Sequence, residues 1–470
     1  MEYRIETDTL GPIAVPASAY WGAHTARALQ NFAISGIPVS AHPHLVRALA
    51  MVKSAAARAN GELGVLSQDK VRAIRQACQE ILAGKHHGQF CVDVIQGGAG
   101  TSTNMNANEV IANLALEKLG HGRGDYGHLH PIDHVNKCQS TNDTYPTALR
   151  LALAAGALEL AEELEQLAAA AMAKGTQFSG VVKIGRTQLQ DAVPMTLGQE
   201  FRAFGTTIRE DCARILEAVD LMLECNLGGT AVGTGITAED GFQRRALAAL
   251  AEISGLPVRA ADDLFQATWD VGAFMHLSGM LKRAAIRLSK ICSDLRLLAS
   301  GPQNGLGEIS LPARQAGSSI MPGKVNPVIP EAVNQIAFAV AGADTTVTMA
   351  ADNGQLQLNA FEPVMAHVLL QSIGWLGAGA ASLRTLCIDG IEANSQLLRT
   401  RTEASAGVAT ALVPSIGYAA AAAVAKEALR SGEAVVDIVA GKQLMDLVSA
   451  RSVVDAAMAG GGTRMPGSVG

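Results

Sequence analysis

Hydrophobic positions recur along much of this chain at alternating steps of three and four. Leu149, Leu153, Leu160, Leu164 and Leu167 share one helical face. So do Leu197, Phe201, Phe204, Ile208, Cys212, Ile215, Val219 and Met222, and again Phe274, Leu277, Leu281, Ala284, Leu288, Ile291, Leu295 and Leu298. Such a period predicts amphipathic helices of roughly 25–30 residues, well beyond the usual length. Two more are predicted near 327–352 and 361–388. Five long helices of similar length predict a bundle. The predicted fold class is therefore mainly α, with a central bundle of five long helices.

The flanking segments read differently. Tyr3–Pro16 alternates like a short strand pair around a Gly-Pro turn. Residues 43–83 read as two helices broken near Gly61–Gly64. His121–His130 is a loop, and residues 226–266 are a Gly-rich loop and a short excursion. Beyond 393 the helical stretches are shorter and are interrupted at Pro414 and Gly432. These shifts predict three domains: a mixed, mostly helical one over 1–145, the long-helix bundle over 146–392, and a small helical one over 393–470. The last stretch, GGGTRMPGSVG, reads as a mobile tail.

Composition narrows the classes. Of 470 residues, 49% are hydrophobic and only 4% aromatic. An Ala- and Leu-rich, aromatic-poor chain suits long helices packed closely, with surplus apolar surface covered by other subunits. The net charge is −6, and no basic run offers a nucleic-acid face. The Ala-rich runs carry Arg, Glu, Lys or Pro, so no membrane span is expected. The N-terminus MEYRIETDTLG has no signal pattern, which makes a cytoplasmic location the expectation. Seven cysteines, widely spaced and without a CxxC, read as reduced thiols.

Four polar segments stand out: Gly97–Glu109, Gln139–Asp143, Gly185–Glu200 and Gly317–Pro327. Each borders a predicted helix and is rich in hydroxyl and amide donors, which suit anions. Together they offer Thr101, Ser102, Ser140, Thr141, Asn142, Thr187, Ser318, Ser319, Asn326 and one cation, Lys324. That is a donor-rich cradle for a small dicarboxylate. If a base removes a proton beside a carboxylate, charge builds on that carboxylate, and preorganised donors stabilise it more than the ground state. A group on the next carbon can then leave. This chemistry needs no cofactor and no metal.

The residues themselves carry a resemblance. GSSIMPGKVNP at 317–327 resembles the signature loop of the fumarase/aspartase superfamily, and the resemblance spans nearly the whole chain. GRTQLQDAVPMTLGQE at 185–200 and TVTMAADNGQLQLN at 346–359 resemble its ammonia-lyases that act on aspartate. The resemblance implies reversible anti elimination of ammonia from L-aspartate to give fumarate. It implies a homotetramer with a twenty-helix core and sites shared by three subunits. It casts Ser318 as general base, Thr101, Ser140, Thr141 and Ser319 as partners of the β-carboxylate, and Lys324 and Asn326 as partners of the α-carboxylate. Asn142 and Thr187 would lie near the amino group.

Gln188 stands where fumarases and some relatives carry a His that pairs with an acid, here Glu331. Gln cannot shuttle protons, so hydration is disfavoured against ammonia loss. A class II fumarate hydratase is the nearest alternative, and a non-catalytic structural or regulatory relative is another.

Three further patterns carry less. His128, His130, His134 and Cys138 have metal-like spacing but no closed ligand set. His130 resembles a residue of a second anion site in fumarases, though Ile132 departs from that pattern. His134 is expected to hydrogen-bond within the fold beside the site. The loop GGTAVGTG at 228–235 lacks GK[ST] and a strand–turn–helix context, which argues against nucleotide binding.

Overall fold

The computed structural model describes residues 2–458. The tail expected at 460–470 lies outside the described residues. The fold is mainly helical. Its five long helices are Thr141–Gln177, Leu197–Met222, Gly272–Leu298, Val328–Asp352 and Glu362–Leu386. The first reaches 37 residues, longer than the leucine stripe predicts, because Pro146 sits within its first two turns and does not end it. Every residue of the three predicted stripes is buried.

By compactness the chain divides into two units. One comprises residues 1–162, 212–285 and 336–377, and the other 163–211, 286–335 and 378–470. The boundaries fall inside the long helices.

In the first unit, a hairpin of Tyr3–Asp8 and Gly11–Pro16 opens the chain. Helices Pro43–Glu62 and Gln68–Leu82 follow, broken at Gly64 in the left-handed region (φ 74°). Arg150 on the first long helix donates to the Leu221 carbonyl on the second. Ser278 on the third donates to Asp344 on the fourth at 2.8 Å. The Gly228–Gly235 loop and the short helix Phe242–Ser254 form the excursion between the second and third long helices.

In the second unit, the first and second long helices pass so closely that a Cβ on Gly198 would lie 2.4 Å from the Gly175 carbonyl oxygen. This explains the small residues at that crossing. Asn334 on the fourth helix donates to the Ser289 hydroxyl and carbonyl on the third. The C-terminal helices Tyr418–Ser431, Val435–Gly441 and Leu447–Met458 bury Val424, Val439 and Val454. These share a core with Val182 and Ile184 of an antiparallel hairpin, Val182–Thr187 with Gln190–Thr196.

That hairpin differs from the sequence reading, which takes 185–200 only as a polar segment beside a helix. Its inward pattern is short and is interrupted by a bulge between Ile184 and Arg186, so strand alternation is weak in the sequence.

Six of the seven cysteines are buried. The helix Glu362–Leu386 is long and apolar enough in composition to cross a membrane, yet half of its apolar window is buried within the protein.

Candidate active site

The sequence-predicted residues fall in both units, and each group is built by its own scaffold. In the first unit, Thr101 begins the helix Thr101–Lys118 and is exposed, its hydroxyl donating to Gly98 O at 2.7 Å. Ser140 and Thr141 start the first long helix. Ser140 Oγ accepts the Asn142 N–H at 3.2 Å, while Asp143 accepts the Ser140 N–H at 2.9 Å. The Ser140 hydroxyl caps the first turn and the Asp143 carboxylate holds the Ser140 N–H, which together fix the helix start and with it Thr141.

Asp143 is fully buried. Its second oxygen accepts the backbone N–H groups of Gly228 and Thr230, at 3.0 and 2.9 Å. Burial raises its pKa, and those backbone bonds act against the rise. The Gly228–Gly235 loop thus cradles a carboxylate of its own chain. Asn142 donates to Ala231 O of the same loop at 2.8 Å and accepts from Asn226 through its carbonyl.

Behind Thr141 lies a polar network that the sequence reading misses. Asn104 donates through Nδ2 to Thr141 Oγ1 at 3.0 Å and to Asn136 Oδ1 at 3.2 Å. Lys53, with no exposed surface, donates to Asn136 Oδ1 at 2.8 Å and Gln139 Oε1 at 3.0 Å. Burial pulls the Lys53 ammonium down to about 7, against the pull of the Asp143 carboxylate. Its one sequence signal is a lone lysine inside the apolar run Ala48–Ala57 of a helix.

In the second unit, the 182–196 hairpin ends in a two-residue turn of Gln188 and Leu189. Both are left-handed, with φ of 54° and 62°, as a type I′ turn requires. Neither is glycine, so the turn carries backbone strain. Thr187, Gln188 and Leu189 are exposed. The strand below is anchored by charge. Buried Lys183 pairs with Glu200 at 2.7 Å and with buried Glu308 at 2.8 Å, and Arg186 also pairs with Glu308.

The loop 317–327 is closed at its base. Gly317 N–H donates to the Lys324 carbonyl at 2.8 Å, and Asn326 Nδ2 donates to the Gly317 carbonyl at 2.9 Å. A Cβ on Gly317 would lie 2.5 Å from the Lys324 carbonyl oxygen, so no side chain fits there. Ser318 Oγ accepts the N–H groups of Ile320 at 3.2 Å and Met321 at 3.1 Å. Ser319 and Lys324 are exposed, and among the described residues the Lys324 ammonium has no ion-pair partner. Glu331, in the first turn of the fourth long helix, lies 3.7 Å from Arg296.

Two backbone donors on a serine oxygen favour its charged form, as oxyanion donors do. One loop thus carries a serine with two backbone donors, a lysine without an ion-pair partner among the described residues, and an exposed hydroxyl on Ser319.

The chain matches known proteins over most of its length. Residues 11–342 match the family model described as Lyase, and residues 408–458 the Fumarase C C-terminus model. The chain belongs to this lyase family. Among its relatives, the aspartate ammonia-lyase of Pseudomonas aeruginosa is 57% identical over 444 residues, 94% of each chain. The crystal structure of a fumarate lyase:delta crystallin from Brucella melitensis superposes with a TM-score of 0.94. It has 55% identity and covers 97% of this chain and 98% of its own. A recombinant class II fumarase from Schistosoma mansoni gives a TM-score of 0.91 at 34% identity, over 96% and 98% of the two chains. The relatives thus include an aspartate ammonia-lyase and a class II fumarase.

The remaining candidates find other places. His134 Nδ1 accepts the His130 N–H at 2.7 Å, and its Nε2 lies 2.6 Å from Lys70 Nζ. Burial, followed by the Lys70 charge, lowers its pKa. His128, His130, His134 and Cys138 do not converge on one point. The potential ligand group among the described residues is instead His121, Asp125 and His128, at the surface.

Proposed function

We propose that this chain is an aspartate ammonia-lyase, eliminating ammonia from L-aspartate to give fumarate. The observation that carries the mechanism is Ser318 Oγ under two backbone N–H groups. In this reading the deprotonated Ser318 oxygen takes the Cβ proton and becomes a neutral hydroxyl, and the charge passes to the substrate. Thr101, Ser140, Thr141 and Ser319 donate to the β-carboxylate, whose oxygens gather charge in the dianionic intermediate. Lys324 and Asn326 hold the α-carboxylate. Asn142, Thr187 and Gln188 face the amino group, and Glu331 and His134 support the site from behind. The reading includes a homotetramer whose sites are shared by three subunits. The substrate and its products are small dicarboxylates and ammonia, and the enzyme works in the cytoplasm without a cofactor.

The ammonia-lyase reading is favoured over hydration by Gln188. An amide cannot exchange a proton with a water-derived hydroxyl, whereas an amino group already protonated leaves as ammonia without an acid. The relatives named aspartate ammonia-lyase, at 50–58% identity, support it.

Purified protein is given aspartate, then malate, and fumarate is followed by its ultraviolet absorbance. Turnover of aspartate is expected. Turnover of malate alone would establish the hydratase reading, and a tetramer inert on both the structural one.

A further inference from the structure

The polar network behind Thr141 has a direction. A hydroxyl whose oxygen already accepts a hydrogen bond from inside the protein has its proton free to point outward. Asn104 supplies that inner bond. Whether Asn104 presents nitrogen or oxygen to Thr141 is decided one step further back. Were its amide reversed, its oxygen would face Asn136 Oδ1, and two acceptors would meet. Asn136 is held oxygen-inward in turn. That oxygen receives Lys53 Nζ and Asn108 Nδ2, at 2.8 and 3.1 Å, and its nitrogen donates to Gln139 O at 3.1 Å.

Lys53 is the one fixed point in this chain. Both groups it meets, Asn136 Oδ1 and Gln139 Oε1, are acceptors, so its nitrogen donates to them with three protons or with two. A lysine with no exposed surface is costly to bury, and the network gives it a task.

We propose that Lys53, through Asn136 and Asn104, is a positioning residue that aims the Thr141 hydroxyl proton at the substrate carboxylate. The proposal rests on the assignment of Thr141 to that carboxylate. It makes Lys53 and Asn104 determinants of dicarboxylate affinity although neither touches substrate. Lys53 lies on the helix Pro43–Glu62 and Asn104 on Thr101–Lys118, so two helices outside the long-helix set tune a residue at the head of one.

The test is a double-mutant cycle on the full-length enzyme, with succinate as the binding probe and steady-state turnover as the second readout. Thr141→Ala is expected to weaken succinate ~10- to 100-fold, the scale of one hydrogen bond to a charged group. Lys53→Met should weaken it several-fold and raise KM more than it lowers kcat. In the Thr141→Ala background, Lys53→Met should add nothing, because what it aims is gone. An equal loss in both backgrounds would overturn the proposal, as would succinate affinity unchanged in Lys53→Met alone. An unchanged Thr141→Ala would overturn the carboxylate assignment beneath it. If Lys53→Met does not fold, Asn104→Ala takes its place in the same cycle. Succinate binding is read whichever substrate the wild type turns over, so failure of the ammonia-lyase reading shows up separately, in the turnover assay.

Discussion

The hydroxyl oxygen of Ser318 accepts the backbone N–H of Met321 at 3.1 Å, within a loop whose base is locked by Gly317 and Asn326. A free serine is far too weak an acid to serve as a base near neutral pH. Fixed N–H dipoles favour its deprotonated form without any rearrangement during reaction. Ser318→Ala should therefore lower kcat by at least about a hundredfold, the lower end for a general base. Succinate should still bind, because the carboxylate donors remain. A near-normal rate of fumarate formation would remove Ser318 as the base.

Lys324 offers an exposed ammonium on the same loop, with no ion-pair partner among the described residues. A cation left unpaired beside several neutral donors suits a carboxylate from the substrate. Lys324→Ala should raise KM roughly 10- to 100-fold, through the loss of a charge-assisted hydrogen bond worth about 1.5–3 kcal/mol. The check is the KM for aspartate together with the affinity for succinate. Unchanged affinity would place the α-carboxylate elsewhere.

Gln188 holds a left-handed backbone that glycine adopts freely. Gln188→Gly should remove strain of about 1 kcal/mol and raise the melting temperature slightly. If the amide lies against the amino group, the same change should lower kcat/KM. Stability and activity would then move in opposite directions. A variant that gains stability and keeps full activity would show that the side chain has no part in the reaction.

Much of this arrangement is legible in the amino-acid sequence. The three apolar stripes need only helical spacing, since burial along a long helix repeats often enough to be read. The loop at 317–327 is legible because its glycine, serines, lysine and asparagine are adjacent in sequence. The 182–196 hairpin is not, because a bulge breaks its alternation and its partners lie beyond residue 400. Lys53, Asn104 and Asn136 cannot be paired from sequence for a related reason. Their separations of 32 to 83 residues follow no periodic rule. Glu308 is likewise hidden, since nothing local marks one glutamate as the shared partner of Lys183 and Arg186.

Glu308 gives a stability prediction with a functional consequence. It is buried between two cations at the base of the strand that carries Thr187. Removing one member of a buried ionic cluster leaves charge without compensation, at about 3–5 kcal/mol. Glu308→Ala should lower the denaturant midpoint accordingly and should loosen the hairpin. Proteolysis near Gln188–Leu189 should accelerate in parallel. Loss of stability without faster cleavage there would mean that the cluster supports the fold and not the turn.

Lys53 links the site to pH. Burial holds its ammonium near 7 in the folded chain, against a reference value of 10.5. Between those values the unfolded chain binds more protons at this site, so the contribution to stability rises with pH. Below 7 both states are protonated and the folded state bears the whole desolvation penalty. Above 10.5 both are neutral and the penalty is gone. Lys53→Met has no such penalty at any pH. The wild type should therefore gain on the variant as pH climbs from 7 towards 10, by up to about 1.4 kcal/mol per pH unit while the group titrates. Unfolding of both proteins at pH 6.5 and 9.5, at one fixed protein concentration, measures this difference. A gap that stays constant would show that Lys53 keeps its proton throughout, held by the Asp143 carboxylate more firmly than burial opposes it.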